Sequence, residues 1–186
     1  MSQPASHASD ASGVGAGSTP DPFAMLGLAP SFDVPAAELE RAFHEQSKLL
    51  HPDRFAQAPA AERVAALSRA RALNDAYQVL RKPASRAEHL LARAGVVIGD
   101  RETLDPTFLM EILDLREALA EARIAGDLAA VARMQGEMAA RRGTLVASLS
   151  PALAAGAHAD AKCALIALRY VDRYLEECDA ALDQDA

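Results

Sequence analysis

Leu39-Glu40-Arg41-Ala42-Phe43-His44-Glu45-Gln46-Ser47-Lys48-Leu49-Leu50-His51-Pro52-Asp53, residues 39–53, decides the fold, because an amphipathic helical pattern runs straight into a rigid tripeptide. Leu39, Phe43, Gln46 and Leu50 recur at steps of four, three and four, the period of one helix face. At 100 degrees per residue, Arg41, His44 and Lys48 fall on the opposite face. Pro35 suits a first helical turn, where its missing amide hydrogen costs nothing. Pro52 ends the pattern, since it disfavours a helical residue before it and cannot donate. A helix over 35–50 is therefore predicted. Downstream, Leu67, Ala70, Leu73, Tyr77 and Leu80 form a second stripe that runs to Lys82, before Pro83. Two antiparallel helices would pack these stripes together, leaving the loop from His51 to Ala60 at one end, beside the cationic face.

Three further features surround that hairpin in order. A short helix is expected at Pro22-Phe23-Ala24-Met25-Leu26-Gly27-Leu28, and the third helix carries Leu73-Asn74-Asp75-Ala76-Tyr77-Gln78-Val79-Leu80. With these, the segment from Asp21 to about Gly95 resembles a J-domain, the module that stimulates ATP hydrolysis by DnaK-class chaperones. The resemblance implies that His51, Pro52 and Asp53, with the basic face of Arg41, His44 and Lys48, dock on the chaperone's ATPase domain. Asp53 can accept a forked arginine contact, Pro52 stiffens the turn, and His51 offers a hydrogen bond and variable charge. Lys48 sits where the family has a base, whereas Arg41 is offset by one position from the commonest basic site. Read singly, Asp53 could equally cap the following turn, His51 could be a solvated helix end, and the three bases are also what any solvated helix face looks like.

The whole chain, 186 residues with a net charge of -7, suits one or two domains. Residues 1–95 hold ten bases and ten acids, while residues 96–186 hold nine and sixteen. So acidic a second half disfavours nucleic acid and anionic membrane surfaces as partners. Cys163 and Cys178 lie in one expected helix, about 22 Å apart at the helical rise of about 1.5 Å per residue, beyond disulfide reach. No CxxC or HExxH spacing occurs, so no metal site or cofactor is expected. Residues 1–20, rich in Ser, Ala and Gly, lack the apolar core of a secretion signal and the bases of a mitochondrial presequence, and read as a disordered tail. No apolar run approaches the roughly 20 residues that span a bilayer. A soluble, cytoplasmic protein is expected.

After Pro83, Ala87, Leu90, Leu91 and Ala94 predict a short helix ending at Gly95, with a linker over 96–104. Asp105-Pro106 then supplies an N-cap and a first-turn proline for a helix with core stripe Phe108, Ile112, Leu115 and Leu119, ending at Gly126. A second helix is expected from Asp127 to the residue before Pro151, burying Leu128, Val131, Met134, Met138, Leu145 and Leu149. A third carries Ala164, Leu168, Val171, Leu175, Cys178 and Leu182. The fold class is all-α: a J-domain at 21–95 followed by a three-helix bundle at 105–186. On the far side of the first bundle helix, Leu109, Met110 and Leu113 share a face with Asp114, Glu117 and Glu121. Ile166 and Tyr170 likewise lie off the core stripe of the last helix. Such a patch either binds a protein or packs on another part of the same chain.

Asp105-Pro106-Thr107-Phe108-Leu109-Met110-Glu111, then Leu113, Leu115-Arg116-Glu117 and Leu119, with Leu168-Arg169-Tyr170-Val171-Asp172 and Arg86-Ala87-Glu88-His89-Leu90-Leu91, is similar to the HscB family. Its members are J-type co-chaperones of iron-sulfur cluster assembly. The resemblance, which covers nearly everything from Asp21 to Leu182, implies two partners: an HscA-type DnaK-class chaperone and an IscU-type cluster scaffold. It implies that Leu109, Met110, Leu113, Asp114, Glu117, Glu121 and Tyr170 bind the scaffold. Asp114 and Tyr170 stand where members often carry Glu and Phe, and Gln46 replaces a usual core apolar residue. The absence of N-terminal cysteine pairs points to the bacterial type. A stand-alone helical interaction protein is the alternative from another class. An enzyme built on His51 and Asp53 would lack a nucleophile, an oxyanion site and a metal cage.

Overall fold

The computed structural model of the protein describes residues 20–99 and 105–183. All but the last residue of the expected tail over residues 1–20, and residues 100–104 of the expected linker, lie outside them. Seven α-helices and one 3₁₀ turn make up the described residues, without a strand. They are α1 (Pro22–Leu26), α2 (Ala36–Leu49), the 3₁₀ turn (Pro52–Phe55), α3 (Ala60–Arg81), α4 (Pro83–Arg93), α5 (Pro106–Ala125), α6 (Leu128–Ala154) and α7 (His158–Asp183).

Local chemistry sets these boundaries. Asp21 caps α1 by accepting from the Phe23 amide at 3.1 Å, and Asp105 caps α5 by accepting from the Thr107 amide at 2.7 Å, each ahead of a first-turn proline. Gly27 and Gly126 close the same two helices at φ 68° and 67°, in the left-handed region that side chains with a Cβ avoid. The half-buried Gln46 lies beside Gly27, where a Cβ added to the glycine would come within 3.8 Å of its amide nitrogen. One expected stop fails, for Pro151 lies inside α6. Only three residues follow it before the helix ends at Ala154, so a single helical donor is lost. Ala152 and Leu153, beyond the proline, pack on the core and hold that last turn in place.

Three apolar clusters form the interior. The first joins Phe23 and Leu26 of α1 to Leu39 and Ala42 of α2 and Leu73 and Leu80 of α3, with Phe43 stacked on Tyr77 at 4.5 Å between ring centroids. The second fills the bundle with Leu119, Val131, Met138, Val171, Tyr174 and Cys178. The third joins the two halves. Ala87 and Leu91 of α4 and Phe32 of the α1–α2 loop pack against Leu149 of α6 and Ala161, Leu165 and Leu168 of α7. Buried Arg86 braces the N-terminal side of the junction by donating from Nη1 to the Phe32 carbonyl and from Nε to the Leu80 carbonyl, both at 2.6 Å. Arg169 of α7 pairs with Glu88 of α4 at 2.5 Å.

Some side chains fall on faces other than those expected. Leu67 and Leu128 are exposed rather than buried, and Ala66 takes the place of Leu67 in the interior. Ile166, expected off the core stripe, is buried, on a side of α7 where it lines one cavity with Ile98 of the segment after α4, which the bundle stripe alone does not register. Cys163 is exposed and Cys178 buried, both as free thiols.

Tyr174, fully buried, donates its hydroxyl to the Leu115 carbonyl at 3.1 Å. Burial, with the nearby Cys178, Glu177 and Glu137, pushes its pKa from 10.0 up to about 12. A raised folded pKa means stability that is complete below pH 10 and lost as pH rises through about 12, because the unfolded tyrosine ionises first. Wild-type stability should therefore decline across that interval by roughly 2 kcal/mol more than that of Tyr174→Phe. Chemical denaturation of the two proteins at pH 9, 10, 11 and 12 checks it. Parallel curves would show that the hydroxyl is not held in its neutral form.

Candidate functional site

At the tip of the α2–α3 hairpin, the helix-ending effect of Pro52 produces a tight 3₁₀ turn instead of an open loop. His51 is its N-cap, with Nδ1 accepting from the Asp53 amide at 3.3 Å and lying 3.4 Å from the Asp53 carboxylate. The cap is thus the histidine, not the aspartate. Nδ1 can accept that amide only when it bears no proton; protonated, it donates to the carboxylate instead. Both side chains remain open to solvent, His51 at 60% and Asp53 at 89%. Along the outer face of α2, Arg41, His44 and Lys48 are all exposed, so the expected basic face is present. The His44 ring lies 5.8 Å from that of Phe43, which places it over the edge of the hairpin core.

A second surface lies on α5. Met110 and Leu113 are 61% and 58% exposed, Leu109 is half-buried, and Asp114, Glu117 and Glu121 are exposed with no ion pair among the described residues. Tyr170 of α7 is half-buried and meets Phe108 edge-on, with ring centroids 6.1 Å apart at 89°. Behind it stands support that sequence reading missed. The Arg141 guanidinium lies 5.0 Å from the centre of the Phe108 ring and forms a forked pair with Glu111 at 2.5 and 2.9 Å. That pair also holds the Glu111 carboxyl below the usual carboxylate range. Glu111 four residues before Leu115 looks like an ordinary surface acid in the sequence, and Arg141 is thirty residues away, so no local spacing signals the pair. Of the expected docking residues, Tyr170 is thus linked to α5 through Phe108, while the His51–Asp53 tip belongs to the other half of the chain.

Among the described residues, no group of three His, Cys, Asp or Glu side chains is placed to hold a metal, and no helix is long and apolar enough to cross a membrane.

Comparison with known proteins matches both halves. A family model described as the DnaJ domain matches residues 21–89, and one described as the HSCB C-terminal oligomerisation domain matches residues 104–179. A co-chaperone protein HscB homolog from Azoarcus sp. is 34% identical over 88% of this chain and 94% of its own length. The chain belongs to the HscB family. A further HscB homolog, from Ralstonia nicotianae, is 38% identical across 87% of this chain and 95% of that one. The match to the homolog from Vibrio vulnificus is higher, at 46%, but spans only 53% of this chain and 59% of that protein. Chaperone HscB from Vibrio cholerae superposes with a TM-score of 0.80 at 32% identity, over 88% of this chain and 98% of that one. Human co-chaperone protein HscB superposes equally well, at 30% identity over 87% and 82%. The all-α arrangement of an N-terminal J-domain and a C-terminal helical domain is thus that of HscB structures, and both candidate surfaces fall inside the matched segments.

Proposed function

We propose that this chain is a regulatory co-chaperone, not an enzyme, that stimulates the ATPase of an HscA-type DnaK-class chaperone and delivers an IscU-type iron-sulfur cluster scaffold to it in the cytoplasm. One observation carries the reading: two solvent-open surfaces of different chemistry, a capped His-Pro-Asp turn and an apolar face beside exposed acids that pair with none of the described residues, stand on separate halves joined by a buried core. Holding both partners on one chain raises the local concentration of scaffold at the chaperone. The acidity of the second half supports a protein partner there rather than a nucleic acid. The deciding experiment measures chaperone ATPase alone, with this protein, and with this protein plus scaffold. Stepwise stimulation supports the reading. Scaffold binding without any stimulation would leave a stand-alone adaptor.

Lys48→Glu should weaken chaperone association while scaffold binding survives, because the basic face of α2 is exposed and Lys48 lies three residues before His51. The wild-type interaction should itself weaken as salt rises, screened over a Debye length of about 8 Å at physiological ionic strength. Titration calorimetry at two salt concentrations checks both points. Equal binding by Lys48→Glu at low salt would remove this face from the docking surface.

A further inference from the structure

The J-domain half carries three exposed large apolar side chains among its described residues, and all three lie in the helices that meet at the tip. Leu49 at the end of α2 is 53% exposed, and Val64 and Leu67 on the first turns of α3 are 63% and 60% exposed. Val64 and Leu67 are three residues apart and so share a face of α3. Leu67 also lines a small apolar pocket of about 190 Å³, together with Leu50, Phe55, Arg63 and Ala66. Neither the hairpin core nor the α4 junction fills it. An apolar cluster left in water in this way is a mark of a protein-binding surface.

The position of the pocket indicates what covers it. Leu50 directly precedes His51, and Phe55 ends the 3₁₀ turn that contains Asp53. At about 2 Å of rise per residue in such a turn, Phe55 sits only about 4 Å further along it than Asp53. A partner seated on His51 and Asp53 therefore lies within a few Å of the pocket wall, about 4 Å along the turn. Lys48, Arg54 and Arg63 around the tip form no ion pair among the described residues, which suits a partner whose apolar contact is edged by acids.

We infer that the pocket formed by Leu50, Phe55, Ala66 and Leu67, with Val64 on the same face of α3 as Leu67, is an anchor for an aliphatic side chain of the same DnaK-class chaperone that the His51–Asp53 turn engages. The inference rests on the chaperone-docking reading above and divides the labour of that surface. The pocket supplies affinity, because burying apolar area is non-directional and holds the partner in place. The His-Pro-Asp turn supplies the polar contacts that stimulate hydrolysis.

The test is a titration of chaperone ATPase with the full-length protein, comparing wild type, a Val64→Ser/Leu67→Ser double variant and Leu67→Met. Both serine positions are solvent-exposed, so the double variant should fold, and thermal melting verifies this. It should need at least tenfold more protein for half-maximal stimulation yet reach the wild-type plateau, since truncating an anchor commonly costs a factor of ten or more in affinity. Leu67→Met, which keeps an apolar side chain of similar volume, should follow the wild-type curve. A double-variant curve that superposes on wild type overturns the pocket assignment while leaving chaperone docking intact. A wild-type protein that produces no stimulation at all overturns the docking reading itself, and the pocket assignment with it. If instead the serine changes leave the ATPase curve alone and alter the sedimentation of the protein by itself, a second copy of this chain occupies the pocket and the inference is wrong.

Discussion

Asp53→Asn and His51→Gln should each abolish ATPase stimulation at saturating protein, the largest effect expected from any single change in this chain. Asn keeps the size of the aspartate but removes the charge that can accept a forked arginine contact. Gln keeps a side-chain acceptor for the Asp53 amide but cannot carry the positive charge that the imidazole can. Both side chains are open to solvent and make only local contacts, so each change should alter stability by less than about 0.5 kcal/mol. Steady-state ATPase measured beside thermal melting separates the cases. Full stimulation by both variants would remove the tip from the mechanism, and a collapsed melt would mean that the turn holds the hairpin together.

The next largest effect is expected on the α5 face. Replacing Leu109, Met110, Leu113 and Tyr170 together with alanine should remove most of the scaffold affinity, because interfaces concentrate their energy in a few apolar anchors worth about 2 kcal/mol or more apiece. Basal ATPase stimulation should persist, and the increment produced by adding scaffold should shrink. Leu109 and Tyr170 are half-buried, and Tyr170 packs on Phe108, so the fourfold variant should melt at a lower temperature than wild type. Met110→Ala/Leu113→Ala touches only exposed positions and should lose scaffold affinity without that cost. Titration calorimetry on both variants, with melts alongside, decides the matter. Undiminished binding by the fourfold variant rejects the face.

Much of this arrangement was legible because helices announce themselves through short-range spacing. The stripe Leu39, Phe43, Gln46 and Leu50 advances in steps of four residues or fewer, and the capping pair Asp105-Pro106 and the closing Gly126 are equally local signals. What escaped involves partners that are distant in sequence. Ile166 is buried and lines one cavity with Ile98 of the segment that precedes the bundle, and Arg141 reaches thirty residues back to Glu111. Tyr174, the largest fully buried side chain, escaped for a different reason. It sits three residues after Val171 and four before Cys178, in step with the core, but Leu175 next to it fits the same pattern and is the more apolar choice. At the tip, the sequence revealed His51 and Asp53 but not the pocket behind them, which exists only once α3 lies against Leu50 and Phe55.

The fourth helix serves two masters. Ala87 and Leu91 face the bundle, Arg86 faces back toward the hairpin and its loop, and Leu90 packs on both. A graft that exchanged residues 21–95 for the corresponding piece of another J-protein would therefore have to reproduce a matched surface as well as a functional tip. Without small and branched apolar residues where Ala87 and Leu91 stand, and an aromatic where Phe32 stands, Leu149, Leu165 and Leu168 would meet either a void or a clash. The two halves of this chain are in that respect less interchangeable than their separate family resemblances suggest.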